Sequence, residues 1–121
     1  MNTILVIEDN ELNLKLMVDI LTINGYKTIV ARSGEEGMGL LATQTPNLIL
    51  MDIRMPGISG IEALELIKAN ENLSSIPVIA VTASVMNHDK QLIFAAGFDD
   101  FLQKPIEIAV FLETIRKHLP A

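Results

Sequence analysis

The sequence predicts an α/β fold in which five strands alternate with five helices, (βα)5, around one doubly wound parallel sheet of order 2-1-3-4-5. Short apolar runs alternate with segments of helical pattern along the whole chain, and no linker, repeat or low-complexity stretch interrupts them. The runs are too uniformly apolar for a sheet that faces water, which indicates strands covered on both sides. At 121 residues the chain is expected to form one domain, residues 1–121.

The predicted strands differ in polarity, and the difference orders them. They are Thr3–Ile7, Thr28–Ala31, Leu48–Met51, Val78–Val81 and Asp100–Leu102. The first, third and fourth are almost wholly apolar, as central strands are, whereas the second and fifth include polar residues, as edge strands do. With right-handed crossovers the order becomes 2-1-3-4-5, and the winding direction reverses between the first and third strands.

Capping signals mark where the helices begin. Ser33 with Glu36, and Ser59 with Glu62, have the spacing of a capping box, in which side chain and backbone satisfy each other's donors. Asn10 is placed to cap the first helix. These signals predict helix starts directly after the first, second and third strands.

Stop signals mark the helix ends. Gly25 and Gly97 each follow a helical stretch and precede an aromatic residue, which favours a left-handed helix stop. Arg116, Lys117 and His118 suit the negative end of the last helix's dipole. The two histidines, at positions 88 and 118, have neither ligand spacing nor an acidic partner in sequence, so we interpret both as surface residues.

Composition excludes several classes of function. The formal net charge is −6 and the pI is about 4.7, which argues against direct nucleic-acid binding, because phosphate contacts need a basic face. The absence of cysteine excludes disulfides and thiolate metal sites. No apolar run reaches the roughly 18 residues of a membrane span, and the first residues lack the basic region of a signal peptide. We therefore expect a cytoplasmic protein without membrane contact.

Polar residues stand where four of the apolar strands end. Glu8 and Asp9 follow the first strand, Asp52 the third, Thr82 the fourth and Lys104 the fifth. The carboxyl ends of parallel strands share one edge of the sheet, and ligands of open α/β sheets bind there. The sequence therefore predicts one pocket that holds three carboxylates, a hydroxyl and an ammonium group.

The chemistry of that pocket is restricted by charge. Carboxylates on adjacent strands, about 4.8 Å apart, repel one another unless one is protonated or a cation lies among them. Oxygen ligands without histidine or cysteine select a hard ion, so Mg²⁺ is preferred over Zn²⁺. Such an ion commonly binds a phosphoryl group, and a carboxylate can itself act as the nucleophile and become an aspartyl phosphate.

In order, and each at a strand end, these motifs resemble the receiver domain of two-component response regulators over the whole chain. This resemblance, to single-domain phosphorelay receivers or hybrid-kinase receivers, implies a flavodoxin-like fold. The motifs are Glu8-Asp9-Asn10, Asp52-Ile53-Arg54-Met55-Pro56-Gly57, Thr82-Ala83 and Lys104-Pro105.

The resemblance implies a role for each residue of the pocket. Asp52 takes a phosphoryl group from a phosphohistidine on a histidine kinase or a histidine phosphotransfer protein. Mg²⁺, with Mn²⁺ as an alternative, is held by Glu8, Asp9, Asp52 and the backbone carbonyl of Arg54. Lys104 binds the phosphoryl oxygens. On this interpretation the protein is a signalling phosphoacceptor and not an enzyme, apart from its own phosphotransfer and dephosphorylation.

The resemblance also implies how the signal is passed on. Thr82 moves to bond the phosphoryl group and Phe101 rotates inward, which remodels the face made by the fourth helix, fifth strand and fifth helix for a downstream protein. Arg54 and Ser84 occupy positions that tune hydrolysis in the family, and we hypothesise that Arg54 lengthens the lifetime of the phosphoryl group. The peptide bond from Lys104 to proline is commonly cis in the family. The expected state is a monomer or a weak, phosphorylation-dependent dimer.

The first helix has more apolar surface than one buried stripe requires. Besides the stripe, a second row lies on another side of the helix. One account is that the helix is wedged deeply between its neighbours. The other is a docking face for the kinase or phosphotransferase helical bundle, to which Pro105 would add. The stripe comprises Leu14, Met17, Val18 and Leu21, and the second row comprises Leu12, Leu16, Ile20 and Ile23.

Several interpretations remain open at this point. The chain ends soon after its fifth helix, which favours a stand-alone receiver, while the first motif also resembles receivers of hybrid histidine kinases. An aspartate-nucleophile phosphatase would need a second acid where Arg54 stands. A flavin or nucleotide carrier would need a glycine- or hydroxyl-rich loop after the first strand, where this chain is acidic. A receiver acting only as an interaction module would have lost part of the acidic set or the lysine.

Overall fold

The computed structural model describes residues 2–83 and 87–119. Its five strands are parallel and form one sheet of order β2-β1-β3-β4-β5, so the predicted fold class, strand order and edge strands are confirmed. Asp52 and Thr82 belong to strands β3 and β4, whose pairing extends one residue beyond the predicted ends. The strands are β1 (Thr3–Ile7), β2 (Lys27–Ala31), β3 (Leu48–Asp52), β4 (Val78–Thr82) and β5 (Asp100–Gln103).

Four helices connect the strands, a further helix follows β5, and together they cover both faces of the sheet. The helices α2, α3 and α4 pack with one core cluster, while α1 and α5 pack with the other. Along β1, Leu5 and Ile7 belong to the first cluster and Ile4 and Val6 to the second, as the two-residue period of a strand requires. The helices are α1 (Glu11–Ile23), α2 (Gly34–Leu41), α3 (Gly60–Lys68), α4 (Asn87–Ala96) and α5 (Ile108–His118).

The predicted helix caps are present, with one difference. Ser59 and Glu62 form a complete capping box at α3. At α2, Ser33 accepts a hydrogen bond from the backbone N–H of Glu36, but the Glu36 carboxylate accepts from the N–H of Arg32 instead of from Ser33. The second box is therefore one-sided, and it ties the first turn of α2 to the end of β2.

The helix stops also follow the prediction. Gly25 and Gly97 have φ values of 88° and 109°, in the left-handed region. At the end of α5, however, His118 is not a free surface residue: its Nε2 lies 2.9 Å from Oδ2 of Asp100, and only 18% of its side chain is exposed. The surface interpretation of His118 was wrong, because the fold brings the end of α5 beside the start of β5. The side chain of His88 lies outside the described part of the chain.

The second apolar row of α1 is divided by the fold. Leu12 and Ile23 are 80% and 83% exposed, and Leu16 is 37% exposed, so the account of a deeply wedged helix is wrong for them. Ile20 is only 6% exposed and packs in the core between α1 and the sheet. Ile20 is therefore part of the core and is removed from the predicted docking face.

No helix in the described ranges has the length and apolar character needed to cross a bilayer.

Candidate functional site

The carboxyl ends of the central strands and of β5 meet at one edge of the sheet, as predicted. A cavity of about 230 Å³ opens there, beside the start of α1. Two asparagines at that helix start, Asn10 and Asn13, line it as well, although sequence reasoning assigned only a capping role to Asn10. The cavity is lined by Asp9, Asn10, Asn13, Asp52, Arg54, Thr82, Ala83 and Lys104.

Glu8 is completely buried beneath this cavity. Its Oε2 accepts a hydrogen bond of 3.2 Å from the backbone N–H of Asn10. Its Oε1 lies 2.9 Å from Nζ of Lys104 in an ion pair whose angles are not those of a hydrogen bond, so within the described residues Oε1 is a buried oxygen without a donor. Burial, together with neighbouring Asp52, raises the pKa of Glu8 to about 7.

Asp52 forms the floor of the cavity at the end of β3 and is 4% exposed. Its Oδ1 accepts a hydrogen bond of 3.1 Å from the backbone N–H of Arg54, and its Oδ2 accepts one of 3.1 Å from Nζ of Lys104. The backbone next to Asp52 is fixed by β4, because the N–H of Ile53 donates a hydrogen bond of 3.2 Å to the carbonyl of Val81. The carboxylate is therefore fixed in orientation and faces the opening.

Lys104 joins the two buried carboxylates. Its Nζ contacts both Glu8 and Asp52, and its backbone N–H donates to the carbonyl of Thr82 at 2.8 Å. Burial would lower the pKa of Lys104, but the neighbouring carboxylates of Glu8 and Asp52 outweigh burial and raise it. The peptide bond to Pro105 is cis. Sequence reasoning gave Lys104 only to the phosphoryl oxygens, and it missed that this ammonium already pairs with both buried carboxylates.

The acidic residues fit a divalent cation. Oxygen atoms of Glu8, Asp9 and Asp52 all lie within 4.8 Å of one another, in a group that contains no sulfur or imidazole. Asp9 is exposed at the mouth of the cavity, and Glu8 contributes the buried oxygen that lacks a hydrogen-bond donor. An all-oxygen set with two buried members suits a hard ion such as Mg²⁺.

The residues predicted to transmit the signal are near the site but not all within it. Thr82 lines the cavity and is 7% exposed. Phe101 lies on β5, three residues before Lys104. The ring of Phe94 packs edge-on against it, with 5.9 Å between the ring centroids, and Nζ of Lys90 lies 5.4 Å from the centre of the Phe101 ring. Arg54 lines the cavity and is exposed. Ser84 lies outside the described residues.

The remaining predicted docking residues are accessible. Leu12 and Leu16 stand on the exposed side of α1. Pro105 is exposed and lines a separate cavity of about 360 Å³ along the turn between β5 and α5, with Ile106 and Val110. Lys104 lines both cavities, so the cavity at Pro105 borders the acidic site, and the binding of a partner to these residues stays a prediction.

Comparison with known proteins agrees with this geometry. Residues 4–116 match the family described as the response regulator receiver domain. The chain belongs to this family. It is 44% identical over 117 residues to the polar-differentiation response regulator DivK of Brucella ovis, a match that covers 97% of this chain and 95% of the relative.

Solved receiver structures have the same architecture. The receiver domain of a signal transduction histidine kinase from Syntrophus aciditrophicus superposes with a TM-score of 0.90 at 30% identity, covering 98% of this chain and 90% of that one. The receiver domain of a sensor histidine kinase from Pseudomonas aeruginosa PAO1, described with a magnesium ion coordinated in the active site cleft, gives 0.89 at 31% identity, with 97% and 96% coverage. The fold is the flavodoxin-like receiver fold.

Membership of the receiver family establishes the general function. The chain is a response regulator receiver of two-component signalling, which acts through phosphorylation. Receiver domains bind Mg²⁺ in their acidic site and serve as phosphoacceptors that interact with histidine kinases or phosphotransfer proteins and with downstream targets.

Proposed function

We propose that Asp52 is the phosphoacceptor and that it receives its phosphoryl group from a phosphohistidine of a histidine kinase or histidine phosphotransfer protein. The observation that carries this proposal is the position of the Asp52 carboxylate, held by Arg54 N–H and Lys104 Nζ at 3.1 Å each on the floor of the acidic cavity. A nucleophile fixed in orientation at the bottom of an open cavity is what in-line transfer needs.

The transfer conserves atoms and charge. A carboxylate oxygen of Asp52 attacks phosphorus while the P–N bond of the phosphohistidine breaks, and the imidazole leaves with the electron pair and takes a proton. Nζ of Lys104, 3.1 Å from Asp52 Oδ2, is placed to bind an oxygen of the arriving group. Later attack of water on the acyl phosphate would return the carboxylate and release inorganic phosphate.

The metal-binding residues in this proposal are Glu8, Asp9, Asp52 and the backbone carbonyl of Arg54, and the ion is Mg²⁺, with Mn²⁺ as a substitute of the same ligand preference. When bound, the cation offsets the negative charge that the phosphoryl group brings to the carboxylates. The crowding of Glu8, Asp9 and Asp52 oxygens within 4.8 Å supports this assignment. Ionised Glu8 is required, so metal binding would release a proton from it near neutral pH.

Signal output in this proposal begins at Thr82. Its hydroxyl would bond the phosphoryl group, Phe101 would follow by turning inward, and the face of α4, β5 and α5 would change for a downstream protein. The position of Thr82 on the cavity wall and of Phe101 on the adjoining strand β5 supports this route. Leu12, Leu16 and Pro105 would contact the helical bundle of the phosphodonor. The protein would act as a monomer or as a weak dimer formed on phosphorylation.

We further propose that the chain acts as a stand-alone cytoplasmic receiver. The match to DivK over 95% of that relative's length supports this role. The likeness to receiver domains of histidine kinases supports the alternative, in which the chain is a receiver within a hybrid kinase. In both cases the chemistry at Asp52 is the same.

The phosphoacceptor role is tested by incubation with Mg²⁺ and a small acyl phosphate, followed by intact-mass measurement. We expect the wild type to gain one phosphoryl group and to lose this ability when a chelator is added. Asp52→Asn, which keeps the shape but not the nucleophile, should gain none. A phosphoryl group on Asp52→Asn, or transfer that continues in chelator, would contradict the proposal.

Arg54→Ala is expected to shorten the life of the phosphorylated form. Arg54 is exposed at the cavity mouth, where its guanidinium can cover the phosphoryl group and hinder water. We expect dephosphorylation to become about two- to tenfold faster, a barrier change of about 0.4–1.4 kcal/mol. Phosphate release after removal of the donor measures this rate, and an unchanged rate would refute the role of Arg54.

A further inference from the structure

The loop between β3 and α3, residues 53–59, carries the backbone around Arg54 to which the proposed function assigns a metal ligand. At its base, the N–H of Gly60 donates to the carbonyl of Ile53 at 2.9 Å, and the N–H of Arg54 donates to Asp52 Oδ1 at 3.1 Å. These bonds fix where the loop leaves β3 and where it enters α3. They leave the outer part of the loop, residues 55–58, to be held by something else.

That outer part rests on the first turn of α2. The backbone N–H of Ile58 donates to Oε2 of Glu35 at 3.3 Å, over a sequence separation of 23 residues. Gly57 has a φ of 82°, and a Cβ on Gly57 would overlap Oε2 of Glu35, so the carboxylate lies directly against the loop backbone. The side chain of Ile58 packs against the backbone of Gly34. A Cβ added to Gly34 would lie only 2.5 Å from Ile58 Cγ1.

We infer that Glu35 is a positioning residue for metal binding: its carboxylate holds the Gly57–Ile58 segment and thereby restrains the loop that continues from the Arg54 carbonyl at the acidic site. This inference rests on the proposed function, because it takes the metal site as given there. Glu35 does not line the cavity, so it acts through the loop and not on the ion. Groups that do not touch the metal but hold its ligands in position commonly lower metal affinity when they are removed.

Two features of the sequence make this arrangement specific. Glycine is favoured at position 57 because of its positive φ, and a Cβ there would displace the Glu35 carboxylate from the loop. Glycine at position 34 lets Ile58 pack against the start of α2. The apolar contact and the hydrogen bond thus both hold Ile58, and only the hydrogen bond can be removed without creating a cavity.

The test compares three variants by amide NMR titration with MgCl₂ at an ionic strength of about 0.15 M, where fields from exposed charges are largely screened. Glu35→Ala removes the acceptor, whereas Glu35→Gln retains an amide oxygen as acceptor. Glu36→Ala is the matched control, since it removes the same charge from the same turn but bonds Arg32 and not the loop. Amide hydrogen exchange of residues 54–58 is measured on the metal-free proteins.

Glu35→Ala should raise the Kd for Mg²⁺ about three- to tenfold and speed exchange of the loop amides, with little change in the thermal midpoint of the metal-free protein. Glu35→Gln and Glu36→Ala should stay within about twofold of wild type. The inference is overturned if Glu35→Ala binds Mg²⁺ like wild type. It is also overturned if Glu36→Ala or Glu35→Gln weakens binding equally, because charge alone would then be the cause. A wild type that binds no Mg²⁺ would instead refute the metal site of the proposed function.

Discussion

Lys104→Met is expected to destabilise the metal-free protein by about 2–4 kcal/mol near pH 8, and by about 1 kcal/mol less near pH 5.5. Lys104 Nζ lies 2.9 Å from Glu8 and 3.1 Å from Asp52, both of which are buried. Removing one partner of a buried ion pair leaves uncompensated charge, which costs more than the pair contributes. The loss should therefore depend on whether Glu8 is ionised.

The pH dependence follows from the raised pKa of Glu8. Burial and Asp52 raise that pKa from 4.5 to about 7 in the fold, and Lys104 is among the groups that lower it. A carboxyl whose folded pKa lies above its unfolded value stabilises the fold below the unfolded value, and this contribution is lost as pH rises through the folded value. In Lys104→Met the folded pKa moves higher still, so the part of the penalty that comes from Glu8 is absent well below pH 7 and grows as pH rises through the wild-type value of about 7.

Urea unfolding in chelator at the two pH values measures this effect. Lys15→Met is the matched control, because Lys15 pairs with Asp19 on the surface of α1, and its loss should cost at most about 0.5 kcal/mol at either pH. Adding Glu8→Gln to Lys104→Met should abolish the difference in lost stability between the two pH values, because Glu8 then no longer ionises. An equal loss at both pH values would contradict the predicted dependence on the ionisation of Glu8.

Gly60→Ala is expected to destabilise the protein by about 2 kcal/mol or more, although alanine favours helices. A Cβ on Gly60 would lie 2.7 Å from the carbonyl oxygen of Asp52 and 2.8 Å from Cα of Ile53. These are backbone atoms at the end of a central strand, and they cannot move aside as a flexible side chain can. The start of α3 would have to shift away from the phosphoacceptor residue.

Gly39→Ala in α2 is the matched control for this prediction. No heavy atom lies within 4 Å of a Cβ built on Gly39, so the same substitution should stabilise the protein by about 0.5–1 kcal/mol. Chemical unfolding of both variants, together with the rate of phosphorylation by a small acyl phosphate, measures the difference. We expect slower phosphorylation only in Gly60→Ala. Equal stability of the two variants would refute the tight seating of α3 on the end of β3.

The fold and the membership of the site were largely predictable, because each rests on local sequence. Uniformly apolar runs specify central parallel strands, and the residues that follow them must share one edge of the sheet. Glu8, Asp9, Asp52, Thr82 and Lys104 were assigned to one pocket in this way, and the structure brings them together. The cap at Ser59 follows equally local rules.

Features that depend on how distant elements meet were not predictable. Lys104 bridges Glu8 and Asp52, and His118 pairs with Asp100, only because the turn after β5 and the end of α5 have particular positions. Helical periodicity placed Leu12 and Ile20 in one row, yet one is 80% exposed and the other 6%. The width of the buried side of a helix is set by the shape of its neighbours, and periodicity alone does not contain that shape.

The most direct test of the proposed function is to identify the residue that carries the phosphoryl group. After phosphorylation by a small acyl phosphate in Mg²⁺, borohydride reduction converts an aspartyl phosphate into homoserine, which peptide mass spectrometry locates. Homoserine at position 52 alone is the expected outcome, since that carboxylate is the one held between Lys104 and the loop backbone. Reduction at position 9, or a phosphorylated protein with an intact aspartate at position 52, would contradict it.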